Sequence, residues 1–212
     1  EPARALPLLE AAYRGAQPSD ARLHYAHLLG ILGSRAGEDD LIAAVSASGW
    51  DAGWNFKGMS QFGRSVSWID SYLLALGRCG SAKALPAMLQ KAEALTADSA
   101  FSHFRALALA LEKLNDRSAA PALAAVLDRL GIRGQAFTLE TMADVPGHAN
   151  AAADQERSRC LRELAIARAL VRLGDHEGKG RAVLQSYADD PRGVYARHAQ
   201  AVLAEAARTP VR

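Results

Sequence analysis

The side chains best suited to chemistry lie scattered along the chain rather than grouped into a catalytic motif. His24 and His27 stand three residues apart, but they lack the carboxylate motif that accompanies a zinc-binding histidine pair. We therefore expect both to lie on one helix face that packs against a neighbouring helix. The sequence contains no phosphate-cradling glycine motif and no nucleophile elbow. It predicts no catalytic residue, metal ligand or cofactor-binding residue in this chain, and it leaves open whether the protein is an enzyme.

The two cysteines, Cys79 and Cys160, are too few for a disulfide framework or a four-ligand metal site. Cys79 occupies a position at which the other copies of an internal repeat, described below, carry apolar residues, so we predict a buried structural thiol. Cys160 has no neighbouring base in the sequence, and nothing there indicates an activated nucleophile.

A glycine- and aromatic-rich segment, residues 48–66, is the first candidate binding element. It contains Trp50, Trp54, Phe56 and Phe62 between several glycines. Such a loop can fold back and fill a gap between repeats, or it can present flat rings to a ligand. The sequence leaves both interpretations open.

Three further residues fall at equivalent positions of consecutive repeats, namely Trp68, His103 and Arg162. Equivalent positions lie side by side in a stack of repeats, so we expect them to form a row close to the aromatic segment. By the same register Asp70 matches Arg105, and the two are expected to pair. The row is either a packing ladder or, with the aromatic segment, a binding surface for a ligand or partner.

The amino-acid composition limits the classes of protein to which this chain can belong. The 212 residues are 50% hydrophobic and 23% charged, with a formal net charge of +2. This excludes a disordered chain and argues against an extended nucleic-acid-binding surface. No apolar run is long enough for a membrane span and no targeting segment is visible, so the localisation stays open.

An internal repeat accounts for most of the remaining sequence. Four stretches, 28–45, 72–89, 107–127 and 166–184, each pair an apolar helix with a second one across a short break. The break residues, Gly37, Gly80, Asn115 and Gly174, suit the left-handed position that ends a helix. Pro86 and Pro121 follow at one offset, in the first turn of the second helix.

This pattern resembles the HEAT-like repeat family, which implies an all-α fold. We predict an α-solenoid of about four helical hairpins within a single domain, residues 1–212. Half-repeats at 3–14 and 192–207 would flank the hairpins, and residues 131–157 would form an inserted loop. The interrupted ends, and an N-terminal residue other than Met, favour a fragment of a longer protein.

Two wider resemblances suggest functions. Residues 49–78 (GWDAGWNFKGMSQFGRSVSWIDSYLLALGR), with 101–112 (FSHFRALALALE), are similar to the C-terminal helical-repeat region of some bacterial FAD-dependent oxidoreductase-like proteins. That resemblance implies an accessory domain, with FAD bound by another part of the parent protein because the dinucleotide fingerprint is absent here. The chain also resembles the HEAT-like DNA glycosylases in its fold, but its charge argues against DNA.

The function that the sequence favours is a non-catalytic binding or scaffolding module. Its partner would be another protein or another domain of its own parent protein. The accessory domain of a flavin oxidoreductase is the first alternative, and a DNA-binding or DNA-glycosylase protein is the second.

Overall fold

The fold is all-helical, as the repeat pattern predicts. The computed structural model describes residues 2–53, 66–143 and 151–208; these ranges contain no strand, and 73% of the residues in them are helical. The helices are α1 (Pro2–Gly15), α2 (Asp20–Ile31), α3 (Glu38–Ala47), α4 (Trp68–Cys79), α5 (Leu85–Glu93), α6 (Phe101–Leu114), α7 (Ala120–Leu127), α8 (Leu139–Ala143), α9 (Ala151–Arg172), α10 (Lys179–Ala188) and α11 (Gly193–Arg208).

The chain divides into two compact units. The first comprises Glu1–Ala94 and Leu109–Asp116, and the second comprises Leu95–Ala108 and Arg117–Arg212. In the first unit α2 packs against α1, α3 and α4, and α3 also packs against α4 and α5. In the second unit α9 packs against α7, α10 and α11, and α10 against α11. The predicted single domain stays a prediction.

The four predicted hairpins correspond to α2/α3, α4/α5, α6/α7 and α9/α10. Three break residues have the predicted left-handed backbone, with φ of 63° at Gly80, 57° at Asn115 and 102° at Gly174. The first break differs from the prediction. Gly33, with φ of 84°, follows the end of α2, whereas Gly37 precedes α3 with φ of −108°. Two glycines compete in this connection, and the one nearer the helix end takes the left-handed position.

Proline marks the second helix of two hairpins, as predicted. Pro86 and Pro121 lie in the first turns of α5 and α7, where the missing N–H has no intrahelical partner to lose. A short 3-10 turn precedes each of these helices, at Ala82–Ala84 and at Arg117–Ala119. The two hairpins therefore share one local design.

Small residues allow close helix approach in the first unit. A Cβ placed on Gly77 of α4 would lie 2.6 Å from the carbonyl oxygen of Ala110 in α6. A Cβ on Gly30 of α2 would lie 2.8 Å from the Cβ of Ala75. Both distances are shorter than a van der Waals contact, so only glycine permits these approaches.

The observed bounds of the terminal helices and of the insertion agree in part with the predicted bounds. Helices α1 and α11 occupy the predicted half-repeats. The insertion ends before the predicted residue 157, because α9 begins at Ala151, and α8 lies within it. An alanine-rich start continues α9 toward its N-terminus, where the sequence shows no clear apolar periodicity.

Candidate functional site

A capping box positions Trp68 at the start of α4. The Ser67 hydroxyl accepts a hydrogen bond from the backbone N–H of Asp70 at 3.1 Å, and the Asp70 carboxylate accepts one from the Ser67 N–H at 2.9 Å. This arrangement fixes the first turn of the helix. The Trp68 N–H donates to the Gly53 carbonyl at 3.0 Å. A Cβ on Gly53 would lie 2.1 Å from the indole Cδ1, so the ring lies directly against the Gly53 backbone.

Four rings from α2 and α4 form what we call the aromatic surface: His24, His27, Trp68 and Tyr72. The His24 ring meets the Trp68 ring edge-on, with centroids 5.3 Å apart, and the His27 ring meets the Tyr72 ring edge-on at 5.5 Å. Trp68 and Tyr72 stack with centroids 6.0 Å apart and an interplanar angle of 23°. His24 is exposed, His27 and Trp68 are half-buried, and Tyr72 is buried. The predicted packing of the two histidines against a neighbouring helix is confirmed.

Two of the four rings, those of His27 and Tyr72, are held in their neutral forms at neutral pH. Burial, and to a smaller extent the nearby His24, lowers the pKa of His27. Burial, with a contribution from Asp20, raises the pKa of Tyr72. The His27 imidazole and the Tyr72 phenol are therefore neutral, and the surface suits an apolar or aromatic side chain or another flat ring system.

Trp50 lies in the core of the first unit rather than on its surface. Its side chain is 7% exposed, and the indole N–H donates to the Lys91 carbonyl at 3.2 Å. The buried Lys91 ammonium donates to the carbonyl of Ser48, and burial lowers its pKa. Trp50 therefore fits the gap-filling interpretation of the aromatic segment. Trp54, Phe56 and Phe62 lie outside the described residues, and their role stays a prediction.

The structure gives Asp70 a local role in addition to the predicted pairing. Asp70 is fully buried in the capping box of the first unit. Arg105 is half-buried on the part of α6 that belongs to the second unit. Their pairing, and the row that would join Trp68 to His103 and Arg162, therefore stay predictions.

His103 and Arg162 both belong to the second unit. His103 is buried on α6, and Arg162 is half-buried on α9. The Arg162 guanidinium donates to the Ala97 carbonyl and lies 5.6 Å from the centre of the Phe104 ring. Burial lowers its pKa, against the opposing influence of Asp98.

A buried polar network centred on Glu163 and Arg192 was not predicted from the sequence. The Glu163 carboxylate accepts hydrogen bonds from the N–H groups of Gly134 and Gln135, at 2.8 and 2.9 Å, and from the Tyr187 hydroxyl at 2.8 Å. Arg192 donates to the Gln135 carbonyl at 2.9 Å. The network thus holds the beginning of the insertion by its backbone. The only sequence signal was a carboxylate among the apolar residues of α9.

Further partners of Arg192 complete the network. Its guanidinium contacts the carboxylates of Asp190 at 2.6 Å and Glu156 at 2.7 Å, and its carbon Cζ lies 3.8 Å from the centre of the Phe137 ring. It also donates to the Cys160 sulfur at 3.2 Å. Burial nevertheless raises the pKa of the Cys160 thiol. A buried, protonated thiol is a poor nucleophile, so the network is suited to holding structure.

The described part of the chain contains neither a group of side chains suited to a metal ion nor a helix suited to crossing a membrane. No group of three or more histidine, cysteine and carboxylate side chains within residues 2–53, 66–143 and 151–208 is arranged to hold a metal ion. Over the same ranges, each helix is too short or too polar to cross a bilayer. The expectation that this chain holds no cofactor of its own stays a prediction.

Comparison with known proteins supports the helical-repeat fold. No protein-family model and no curated protein sequence matches this chain. A solved structure, the complex of CpcE and CpcF of phycocyanin lyase from Nostoc sp. PCC7120, is similar with a TM-score of 0.57 and 23% sequence identity. The match covers 96% of this chain and 65% of that chain, so this chain spans less than two thirds of its length. The resemblance to flavin oxidoreductases and that to DNA glycosylases gain no support.

Proposed function

We propose that this chain is a non-catalytic binding module that docks a protein partner on the aromatic surface. The observation that carries the proposal is the combination of an exposed His24, a half-buried Trp68 and a neutral, buried Tyr72 on two adjacent helices. Leu28, one turn beyond His24 on α2, is 47% exposed and extends the surface with an aliphatic side chain. Aromatic side chains of this kind are enriched where proteins bind one another.

The partner that fits is a protein segment that inserts an apolar or aromatic side chain against Trp68. A surface made of aromatic rings offers little to a polyanion, and its rings gain most from apolar area removed from water. The similar solved structure is itself a complex of two different proteins, which supports a protein partner for this chain as well. Binding would then need no reacting group.

Site-specific photo-crosslinking tests the docking surface. A photoreactive amino acid in place of the exposed His24 should crosslink one protein in cells of the source organism. The same amino acid at Leu130, which is 97% exposed in the second unit, serves as the matched control and should not crosslink that protein. The captured protein is then purified and titrated against the wild-type chain, Trp68→Ala and Leu130→Ala.

The proposal requires that Trp68→Ala weakens binding of the purified partner by at least tenfold, while Leu130→Ala binds like the wild type. Circular dichroism and the thermal midpoint show whether the Trp68 variant is folded, and His24→Ala provides a milder second variant at an exposed position. Equal affinity of all four proteins, or crosslinking only from position 130, would contradict the proposal.

A second candidate ligand is a bilin, an open-chain tetrapyrrole. The similar solved structure is a phycocyanin lyase, which is a bilin-attaching protein. The half-buried indole of Trp68 favours it, because this ring, supported by the nearly parallel ring of the buried Tyr72, is a flat face on which a conjugated ligand can stack. Titration with biliverdin should quench tryptophan fluorescence and shift the pigment absorbance, and Trp68→Ala should abolish the absorbance shift. An unchanged pigment spectrum at saturating protein would eliminate this candidate and leave protein docking untouched.

A further inference from the structure

A cleft with a volume of about 420 Å³ lies against α9 in the second unit. One wall carries Asp154, Ser158, Arg159 and Arg162 of α9, and the other wall is the turn at residues 97–98. Residues spaced by three or four along a helix share a face, which places Asp154, Ser158 and Arg162 on one side, with Arg159 three residues before Arg162. A volume of this size lies within the range of about 300–1,000 Å³ that is usual for small-molecule sites.

The cleft contains two guanidinium groups whose charge is not neutralised by an ion pair. Arg159 is exposed, and among the residues that the structure describes neither it nor Arg162 forms an ion pair with a carboxylate. Arg162 donates from Nη1 to the Ala97 carbonyl, but its buried Nε has no hydrogen-bond partner within the described ranges. The two side chains lie about one helical turn apart, so their charges add at the cleft.

The electrostatics of Arg162 agree with a positive charge that is only partly compensated. Burial lowers its pKa most, and the neighbouring Arg159 lowers it further, while Asp98 partly opposes both. An arginine that loses hydration without gaining an anion is held at a cost in free energy. An anion in the cleft would offset that cost.

The two aspartates restrict which anion fits. Asp98 and Asp154 line the cleft, and neither forms an ion pair among the described side chains. A phosphate dianion would face both carboxylates at short range, which is unfavourable. A carboxylate with an N–H group beside it would instead present its negative charge to the arginines and its donor to an aspartate.

We propose that this cleft binds a carboxylate flanked by an N–H donor, the chemistry that a peptide C-terminus shares with a free amino acid. Arg159 contributes an unshared fork of N–H donors, which matches the geometry of a carboxylate. Arg162 contributes the second positive charge, and Ser158 a hydroxyl that can donate or accept. Asp98 and Asp154 accept the N–H group.

Isothermal titration of the full chain distinguishes the two sources of this chemistry. The probes are acetyl-Ala-Ala with a free carboxylate, its C-terminal amide, free alanine and inorganic phosphate. We expect acetyl-Ala-Ala or alanine to bind at least tenfold more tightly than the amide or phosphate, and the tighter of the two identifies the source. Arg159→Gln should weaken that binding by tenfold or more.

Arg157→Gln is the matched control, because Arg157 is an exposed arginine of the same helix that does not line the cleft. It should bind the probes like the wild type. The proposal is overturned if the amide binds as well as the acid, if phosphate binds most tightly, if no probe binds at millimolar concentration, or if the two arginine variants behave alike. None of these results bears on docking at the aromatic surface.

Discussion

Replacing Glu163 by Gln should release the beginning of the insertion from α9. The side chain is 2% exposed and accepts hydrogen bonds from Gly134, Gln135 and Tyr187. Glutamine has nearly the same shape, but it carries no charge and exchanges one acceptor oxygen for an NH₂ group. In either orientation that NH₂ group faces a backbone N–H, of Gly134 or of Gln135, and a backbone N–H cannot accept a hydrogen bond from it.

The expected loss follows from the contacts that change. A hydrogen bond to a charged group contributes about 1.5–3 kcal/mol, and a buried donor left without a partner costs about 1–3 kcal/mol. One such bond disappears in Glu163→Gln and the other two lose their charge assistance. We therefore expect the free energy of unfolding to fall by about 2–4 kcal/mol, because partial relaxation of the loop recovers some of the loss.

Two measurements check this prediction. Urea unfolding followed by circular dichroism gives the global loss, and amide hydrogen exchange at Gly134 and Gln135 reports on the release itself. Glu140→Gln on α8 is the control, because Glu140 is exposed and its replacement changes the net charge equally. A loss below about 0.5 kcal/mol, which is typical of surface substitutions, would refute the reasoning, as would unchanged exchange at the two amides.

The remaining predictions concern packing and protonation. Gly77→Ala should destabilise the protein by about 1–3 kcal/mol or more through overpacking, whereas Gly15→Ala, which has open space around it, should be neutral in thermal unfolding. Burial raises the pKa of Cys79 to about 11 and also raises that of Cys160, so neither thiol should react with a disulfide reagent at pH 8 until urea is added. The pKa of His27 is lowered in the fold, so its contribution to stability is present above the unfolded value of about 6.5 and is lost as the pH falls through the folded pKa. A pKa of the His27 ring at or above that unfolded value, measured by NMR titration, would contradict this prediction.

The repeat register predicted the helical hairpins because the signals that define them are local. A left-handed Gly80 or Asn115 and a first-turn Pro86 each act within a few residues of their position in the chain. The error at Gly37 has the same origin. Gly33 and Gly37 are both suitable helix-ending residues, and the sequence alone does not show which of them follows the last turn of α2.

The sequence predicted part of the aromatic surface. Trp68 was a candidate because of its repeat position, and the spacing of His24 and His27 predicted only that both pack against a neighbouring helix. The Ser67–Asp70 spacing is also a readable helix-start signal, since a hydroxyl three residues before a carboxylate forms a capping box. The stacking of Trp68 on Tyr72 needed both the helix and the Gly53 backbone beside it, and only the structure brings them together.

The network around Glu163 and Arg192 shows why a repeat pattern does not predict the surfaces on which function depends. Repeat register places helices by comparing equivalent positions, but an inserted segment has no equivalent in the other copies, so nothing predicts which side chains receive it. Glu163 reaches Gly134 over 29 residues, and Arg192 reaches Gln135 over 57. These two contacts join the insertion to α9 and to the turn between α10 and α11, through backbone groups that every sequence possesses. An insertion into a helical repeat can therefore be recognised from sequence, whereas the surface that it helps to build must be derived from the fold.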